Sequence, residues 1–256
     1  MVQSVAITGA SSGLGASLAK AFAAPGVTLG LIGRDATRLT ATAEACTQRG
    51  ATVRIGAIDV TDAPALGAWL VAHDKAAPLD LLIANAGISA GPPPDATSEG
   101  LALAARQVTT NLLGAMNTIE PLIPAFVARR RGRIAIVSSL AGYRGLAYSP
   151  GYSASKAGNR AYGEGLRALL APHGVGVSVV CPGFFDTPMT DRFKGSHPFM
   201  LSLDRATRIV VRGLARGKRR IVFPWPLAFG MRAADLMPAW LGDIVIRNFH
   251  FHIEPP

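Results

Sequence analysis

"VAITGASSGLG", Val5 to Gly15, passes from an apolar run into three glycines and three hydroxyl residues. Gly9, Gly13 and Gly15 follow a G-x-x-x-G-x-G spacing, and a helical pattern opens at Leu14. Glycine lets backbone come close to another group, and the first turn of a helix offers unpaired N–H groups and a partial positive charge. A pyrophosphate suits that place. Gly9, Ser11, Ser12, Gly13, Leu14 and Gly15 are therefore candidate anion-binding residues. Read alone, the segment also fits a plain tight turn between strand and helix.

Along the rest of the chain, apolar runs alternate with helical patterns. The strand-like runs are "VAIT", "VTLGLIG", "ATVRIGAID", "LDLLIAN", "GRIAIVSS", "GVSVVC" and "RRIVFP". Between them, a period near 3.6 marks Leu14–Ala23, Arg38–Gln48, Leu66–His73, Leu101–Val127 and Ala154–Leu170. Runs that are apolar throughout imply strands buried on both faces. The expectation is an α/β fold, a doubly wound parallel sheet of seven strands in one domain over residues 1–224, with a C-terminal apolar tail over 225–256. The Pro/Gly loop "AGPPPDATSEG" (90–100) follows the fourth strand. It falls at the carboxyl edge of the sheet, where ligands collect.

Of the 256 residues, 49% are apolar and 16% charged, which suits a sizeable core and excludes disorder. Two cysteines, Cys46 and Cys181, have neither metal-ligand nor disulfide-framework spacing, so no metal is expected and a reducing cytoplasm is. The start signals no secretion, and no uncharged apolar run reaches the ~20 residues of a bilayer span. The net charge is +10, with basic clusters at Arg129–Arg133 and Arg212–Arg220. These read as solvated helix ends and loops, or as attraction to an anionic surface. A nucleic-acid binder is disfavoured, because no recognition motif or aromatic platform accompanies the charge.

"TGASSGLG" (8–15), "NAG" (85–87), Asn111, Ser139, "YSASK" (152–156) and "PGFFDTPM" (182–189) together resemble the short-chain dehydrogenase/reductase family, over roughly residues 2–224. The resemblance implies a Rossmann-type sheet of order 3-2-1-4-5-6-7, a nicotinamide cofactor, and homodimers or homotetramers paired through the fourth and fifth helices. It also implies that Asn85, Ala86 and Gly87 lie beside the cofactor, and that Asn111 holds a water-linked relay to Lys156.

Tyr152 and Lys156 are four residues apart on an expected helix, so they share a face. A free phenol has a pKa near ~10, and a neighbouring ammonium is expected to draw it down toward efficient acid–base work. Ser139, thirteen residues before Tyr152, would hold the substrate oxygen, with Ser138 the competitor. Asn111 is otherwise awkward inside a helix. The expected chemistry is hydride transfer between a nicotinamide and a carbonyl or secondary alcohol, with Asn111, Ser139, Tyr152 and Lys156 catalytic, and Tyr152 and Lys156 also cofactor-binding, Lys156 at the ribose. A cofactor-binding regulatory or scaffold protein is the rival reading, against which the full set argues.

The second strand ends "LIGRDATRL". In NAD-preferring members of the family an acidic residue usually stands where this chain has Gly33. Here the position is neutral and Arg34 follows, which favours NADP(H) over NAD, because a guanidinium grips phosphate through paired donors. Asp35 suits an N-cap, and Arg38 faces water or adds a second cationic contact. Asp59, with Val60, resembles the family's adenine-side contact. Thr187 is expected to reach the nicotinamide carboxamide, and Pro182 and Gly183 to allow close backbone approach.

Leu140, Tyr143, Leu146, Tyr148, Phe184, Phe185, Met189 and Phe193 form the expected apolar wall for a lipophilic small-molecule substrate, with 184–202 a mobile lid. Arg144 is read as a substrate-anion contact or an exposed arginine. The tail either packs over the pocket or a neighbouring subunit, or makes peripheral membrane contact. Gly230 and Pro238 argue against one clean helix over Leu227–Ile246.

Overall fold

The computed structural model describes residues 2–92, 96–195, 197–247 and 251–253. Residues 93–95 of the Pro/Gly loop, Ser196 of the expected lid, and 248–250 and 254–256 of the tail lie outside the described residues.

Seven parallel strands form one sheet: β1 (Ser4–Thr8), β2 (Thr28–Gly33), β3 (Thr52–Ala57), β4 (Leu81–Ala84), β5 (Arg133–Val137), β6 (Gly176–Pro182) and β8 (Arg220–Phe223). Their order is β3-β2-β1-β4-β5-β6-β8, with register running from Val5 against Leu29 on one side of β1 to Val5 against Leu81 on the other. The order reverses at β1 and β4, which opens a crevice at their carboxyl ends. All five residues of β1 are buried. Val5 and Ile7 enter one core layer and Ala6 the other, as the two-residue period of a strand requires.

Helices α1 (Gly13–Phe22), α2 (Ala36–Thr47) and α8 (Leu203–Ala215) cover the first layer. The second is covered by α3 (Ala63–Ala76), α5 (Gly114–Ile119), α6 (Ile123–Ala128) and α7 (Pro150–Leu170). The helix expected over Leu101–Val127 is broken. After α4 (Leu101–Val108), Thr109–Leu113 form a wide π-type turn in which the Gly114 N–H reaches back to the Thr109 carbonyl. Pro121 and Pro124, which lack N–H groups, then interrupt the helix a second time around Glu120–Leu122. α7 starts earlier than expected, with Pro150 in its first position, where a missing N–H costs nothing.

The tail forms two helices, α9 (Trp225–Leu236) and α10 (Ala239–Arg247), and a short strand β9 (Phe251–Ile253). Gly230 is accommodated inside α9. Pro238 divides the two helices, and Met237 before it is extended, as the residue preceding a proline prefers. β9 pairs antiparallel with β7 (Phe193–Gly195) in the segment after β6.

Candidate active site

The glycine turn has the geometry its sequence predicts. Gly9 and Gly13 have φ of 68° and 51°, a region that disfavours side chains. A Cβ on Gly15 would stand 2.2 Å from the Gly9 carbonyl oxygen, so this glycine seats α1 against the turn. Ser12 precedes α1 in extended backbone and its side chain makes no capping bond. Asn85 ties the end of β4 to the turn, its Nδ2 donating to the Thr8 carbonyl at 3.0 Å, while the Asn85 and Ala86 N–H groups donate to Thr8 Oγ1. Asn85 therefore steadies the crevice.

From this turn a cleft of about 440 Å³ extends along Ser11, Ser12, Gly33, Arg34 and Asp59. A Cβ on Gly33 would lie 3.3 Å from Ser11 Oγ, so any side chain there would point into the turn. Arg34 reaches Asp59 at 3.5 Å. Burial opposes the Asp59 charge, but hydrogen bonds from Thr61 and the Arg34 charge outweigh it and hold the carboxyl below its ordinary range. Asp35 caps α2 by accepting from the Arg38 N–H, and its carboxylate pairs with the Arg38 guanidinium at 2.7 Å. Arg38 is thus exposed but paired. Val60 lines the cleft but is engaged in packing: its carbonyl accepts from Asn117, and a Cβ on Gly114 would press on its side chain. The cleft fits a phosphate-bearing dinucleotide. No acidic residue stands in the first turn of α1, and position 33 carries no carboxylate, so the carboxylate that meets Arg34 in the cleft is that of Asp59.

At Gly87 the cleft meets a second chamber of about 160 Å³, which Leu14 and Asn85 also border. Ser139, Tyr152 and Lys156 stand together in its polar part. Ser139 Oγ accepts from the Ala141 N–H at 3.1 Å and donates to the Pro182 carbonyl at 3.4 Å. Burial raises the Tyr152 pKa, and a hydrogen bond with the Ser139 side chain opposes that rise. Lys156 Nζ donates to the Val137 carbonyl at 3.0 Å and lies 5.7 Å from the Tyr152 ring centre. Burial lowers its pKa to about 8. Burial dominates both groups, the ammonium is engaged by a carbonyl, and it is the serine that favours the phenolate.

Asn111 sits in the π-type turn. Its Oδ1 accepts from the Ile88 N–H at 2.7 Å, and its Nδ2 donates to the Ile88 carbonyl and to Ser155 Oγ, each at 2.9 Å. Its own carbonyl accepts from Asn159. The amide thus clamps the loop after β4 onto α7. A Cβ on Gly87 would lie 3.2 Å from Asn111 Oδ1 and 3.3 Å from Lys156 Nζ, so both groups flank that glycine.

The chamber is mainly apolar. Leu140, Leu146, Phe184, Phe185, Met189 and Phe193 line it, as expected, and α9 adds Leu227 and Met231, which sequence reasoning missed. Tyr143 and Tyr148 are not among its lining residues. Tyr143 is buried behind the chamber, between the Arg160 and Arg232 guanidiniums, and burial pushes its hydroxyl up to about 12. Arg144 pairs with Asp243 of α10 at 2.6 Å and so anchors the tail. Gly183 does allow close approach, but what approaches is protein: a Cβ there would meet Pro224, Leu140 and Leu227. Pro182 contributes its carbonyl to Ser139. The Thr187 hydroxyl shares a 2.9 Å hydrogen bond with Thr190, and its side chain faces Gly13 across the junction of the two cavities.

The family model for short chain dehydrogenase matches residues 3–196. The chain belongs to this short-chain dehydrogenase/reductase family of oxidoreductases. An uncharacterized oxidoreductase of Myxococcus xanthus is 37% identical over 247 residues, 94% of this chain and 95% of that protein. The ketoacyl reductase HetN of Nostoc sp. is 38% identical over 200 residues, covering 77% of this chain and 68% of that protein. A short-chain dehydrogenase from Sphingobium yanoikuyae, solved in complex with NADPH, superposes with a TM-score of 0.78 at 26% identity, over 96% of this chain and 93% of that one.

Proposed function

We propose that the protein is an NADP(H)-dependent oxidoreductase acting on the carbonyl or secondary alcohol group of a lipophilic small molecule. One observation carries this reading: Ser139, Tyr152 and Lys156 converge in an apolar chamber that meets a glycine-lined cleft at Gly87. The NADPH complex of the Sphingobium relative and the ketoacyl reductase among the curated relatives support the cofactor and the reaction class.

The nicotinamide, when bound, supplies or takes up the hydride. The first-turn N–H groups of α1 and the Ser12 hydroxyl bind the phosphates, and Arg34 grips a 2′-phosphate. Ser139 Oγ orients the substrate oxygen, and Tyr152 gives it a proton in reduction or removes one in oxidation. With a pKa near 8, Lys156 exchanges protons close to neutral pH and resupplies the phenol. Asn111 positions the Ile88 loop and α7, which keeps the two halves of the site in register. The apolar walls exclude water and favour a lipophilic substrate.

We also propose a homodimer or homotetramer, supported by Leu101, Leu113 and Leu169, which are exposed on the α4–α7 side. The buried free thiols Cys46 and Cys181 suit a reducing cytoplasm. The test is NADPH oxidation against a panel of aliphatic and aromatic ketones, with NADPH binding followed by fluorescence. Tyr152→Phe should bind NADPH normally and lose turnover by about 10²-fold or more. Substantial retained turnover removes the phenol from the mechanism.

A further inference from the structure

Helix α9 is apolar on two opposite faces. Leu227 and Met231 turn inward and wall the substrate chamber. Trp225, Phe229 and Leu236 turn outward, 74%, 69% and 88% exposed, and α10 adds Trp240 at 67%. On the 100° wheel of a helix the three outward residues of α9 fall on one stripe, where a solvated surface helix carries polar groups. A covered Trp or Phe buries about 150–250 Å², so these aromatics alone present a patch of several hundred Å². A patch of that size marks an interaction site.

We propose that the outward face of α9 and α10 docks the protein on the surface of an anionic lipid bilayer. Charge selects this occupant. The chain carries a net charge of +10, which an anionic headgroup layer attracts. Residue type agrees, since Trp side chains settle at the level of the headgroups and a cation beside them strengthens the contact. Arg232 is exposed on α9 between Phe229 and Leu236. Among the described residues no helix is long and apolar enough to cross a membrane, so α9 and α10 lie along the surface. The Arg144–Asp243 pair fastens α10 to the body and holds the face as one unit. Phe199 and Met200 are also exposed, on the segment whose Leu201 N–H donates to the carbonyl of Phe184 in the chamber wall. The bilayer and the chamber thus meet opposite sides of the same helix. Docking itself does not depend on the reductase reading; delivery of substrate from the lipid through this side does.

The test uses the full chain and vesicles of phosphatidylcholine with and without phosphatidylglycerol. The wild type should co-sediment with the anionic vesicles, lose binding as salt rises, and have its tryptophan emission quenched by brominated lipid. The Trp225→Gln/Phe229→Gln/Trp240→Gln variant should bind at least about tenfold more weakly. It should keep its oligomeric mass, its melting temperature and its turnover of a water-soluble ketone. Absence of wild-type co-sedimentation or quenching overturns the proposal, and so does undiminished binding by the variant. A fall in the variant's oligomeric mass also overturns it, by assigning the face to a contact between copies. Because quenching is read on the wild type, the proposal stays falsifiable if the variant folds poorly. A wild type that turns over the ketone but does not bind the vesicles would sink the docking and leave the oxidoreductase reading intact.

Discussion

Both Ser138 and Ser139 border the chamber, but the hydroxyl of Ser138 is committed to the carbonyl of Lys156, to which it donates at 2.6 Å. Two adjacent serines at the end of β5 thus divide the work, one holding α7 against the strand and the other facing the reacting oxygen. Ser138→Ala should cost about 0.5–1.5 kcal/mol of stability, the net worth of one buried hydrogen bond to a carbonyl that α7 also engages, with a modest effect on turnover. Ser139→Ala should leave the melting temperature nearly unchanged and lower kcat by about 10²–10³-fold. Denaturant melts and steady-state kinetics on both variants check the division. Equal kinetic losses would contradict it.

Gly33 and Arg34 should set cofactor choice. Gly33→Asp would place a carboxylate against Ser11, beside the space where a 2′-phosphate would lie. Affinity for NADPH should fall at least about tenfold relative to NADH, a charge-assisted contact being exchanged for repulsion. Arg34→Ala should weaken NADPH binding by about tenfold or more and leave NADH binding almost unchanged. Fluorescence titration with both cofactors measures this. Equal or tighter NADH binding by the wild type would exclude the NADP(H) assignment.

His73 should make the fold acid-sensitive. Its ring is fully buried and stacked on Trp69, with centroids 5.2 Å apart, and neither ring nitrogen has a hydrogen-bond partner among the described residues. Burial, with the Arg54 charge, lowers its pKa from 6.5 to about 4. As pH falls below 6.5 the unfolded chain takes up a proton that the folded chain refuses until about 4, so stability is lost across that window. The loss should approach about 2–3 kcal/mol, and His73→Leu should remove it. Urea melts of both proteins between these pH limits decide the matter; parallel pH slopes would clear His73.

The α9 wall should control substrate size. Met231→Ala would open the chamber on that side and should cost about 2–5 kcal/mol of stability. Its kcat/KM should rise for bulky ketones relative to small ones. Competition between two ketones of different girth reads this directly, and an unchanged preference would remove Met231 from the specificity wall.

The sheet was legible because the inner parallel strands, buried on both faces, leave continuous apolar runs, and all seven runs became strands in the expected order, although β3 at the edge is mostly exposed. Tyr152 and Lys156 were legible because four residues is one helical turn. The interruption at Asn111 was not, since a π-type turn leaves no mark in a 3.6-residue period; nearby, Pro121 and Pro124 were available signals of a break. Helix α8 also had a visible stripe, Ala206, Val210 and Leu214, which the surrounding arginines obscured. Other features depend on partners distant in the chain. Nothing local to Arg144 announces Asp243, and nothing local to Leu227 announces Gly183. The balance of charge at Tyr152 likewise follows from how deeply the site is buried, which spacing alone does not encode.

The ribbon formed by β7 and β9 gives the end of the described chain a hold on the flap that carries Phe193. Three residues on each side act as a clasp between the two segments. A change in either segment would be passed to the other, which couples one wall of the chamber to residues far along the chain.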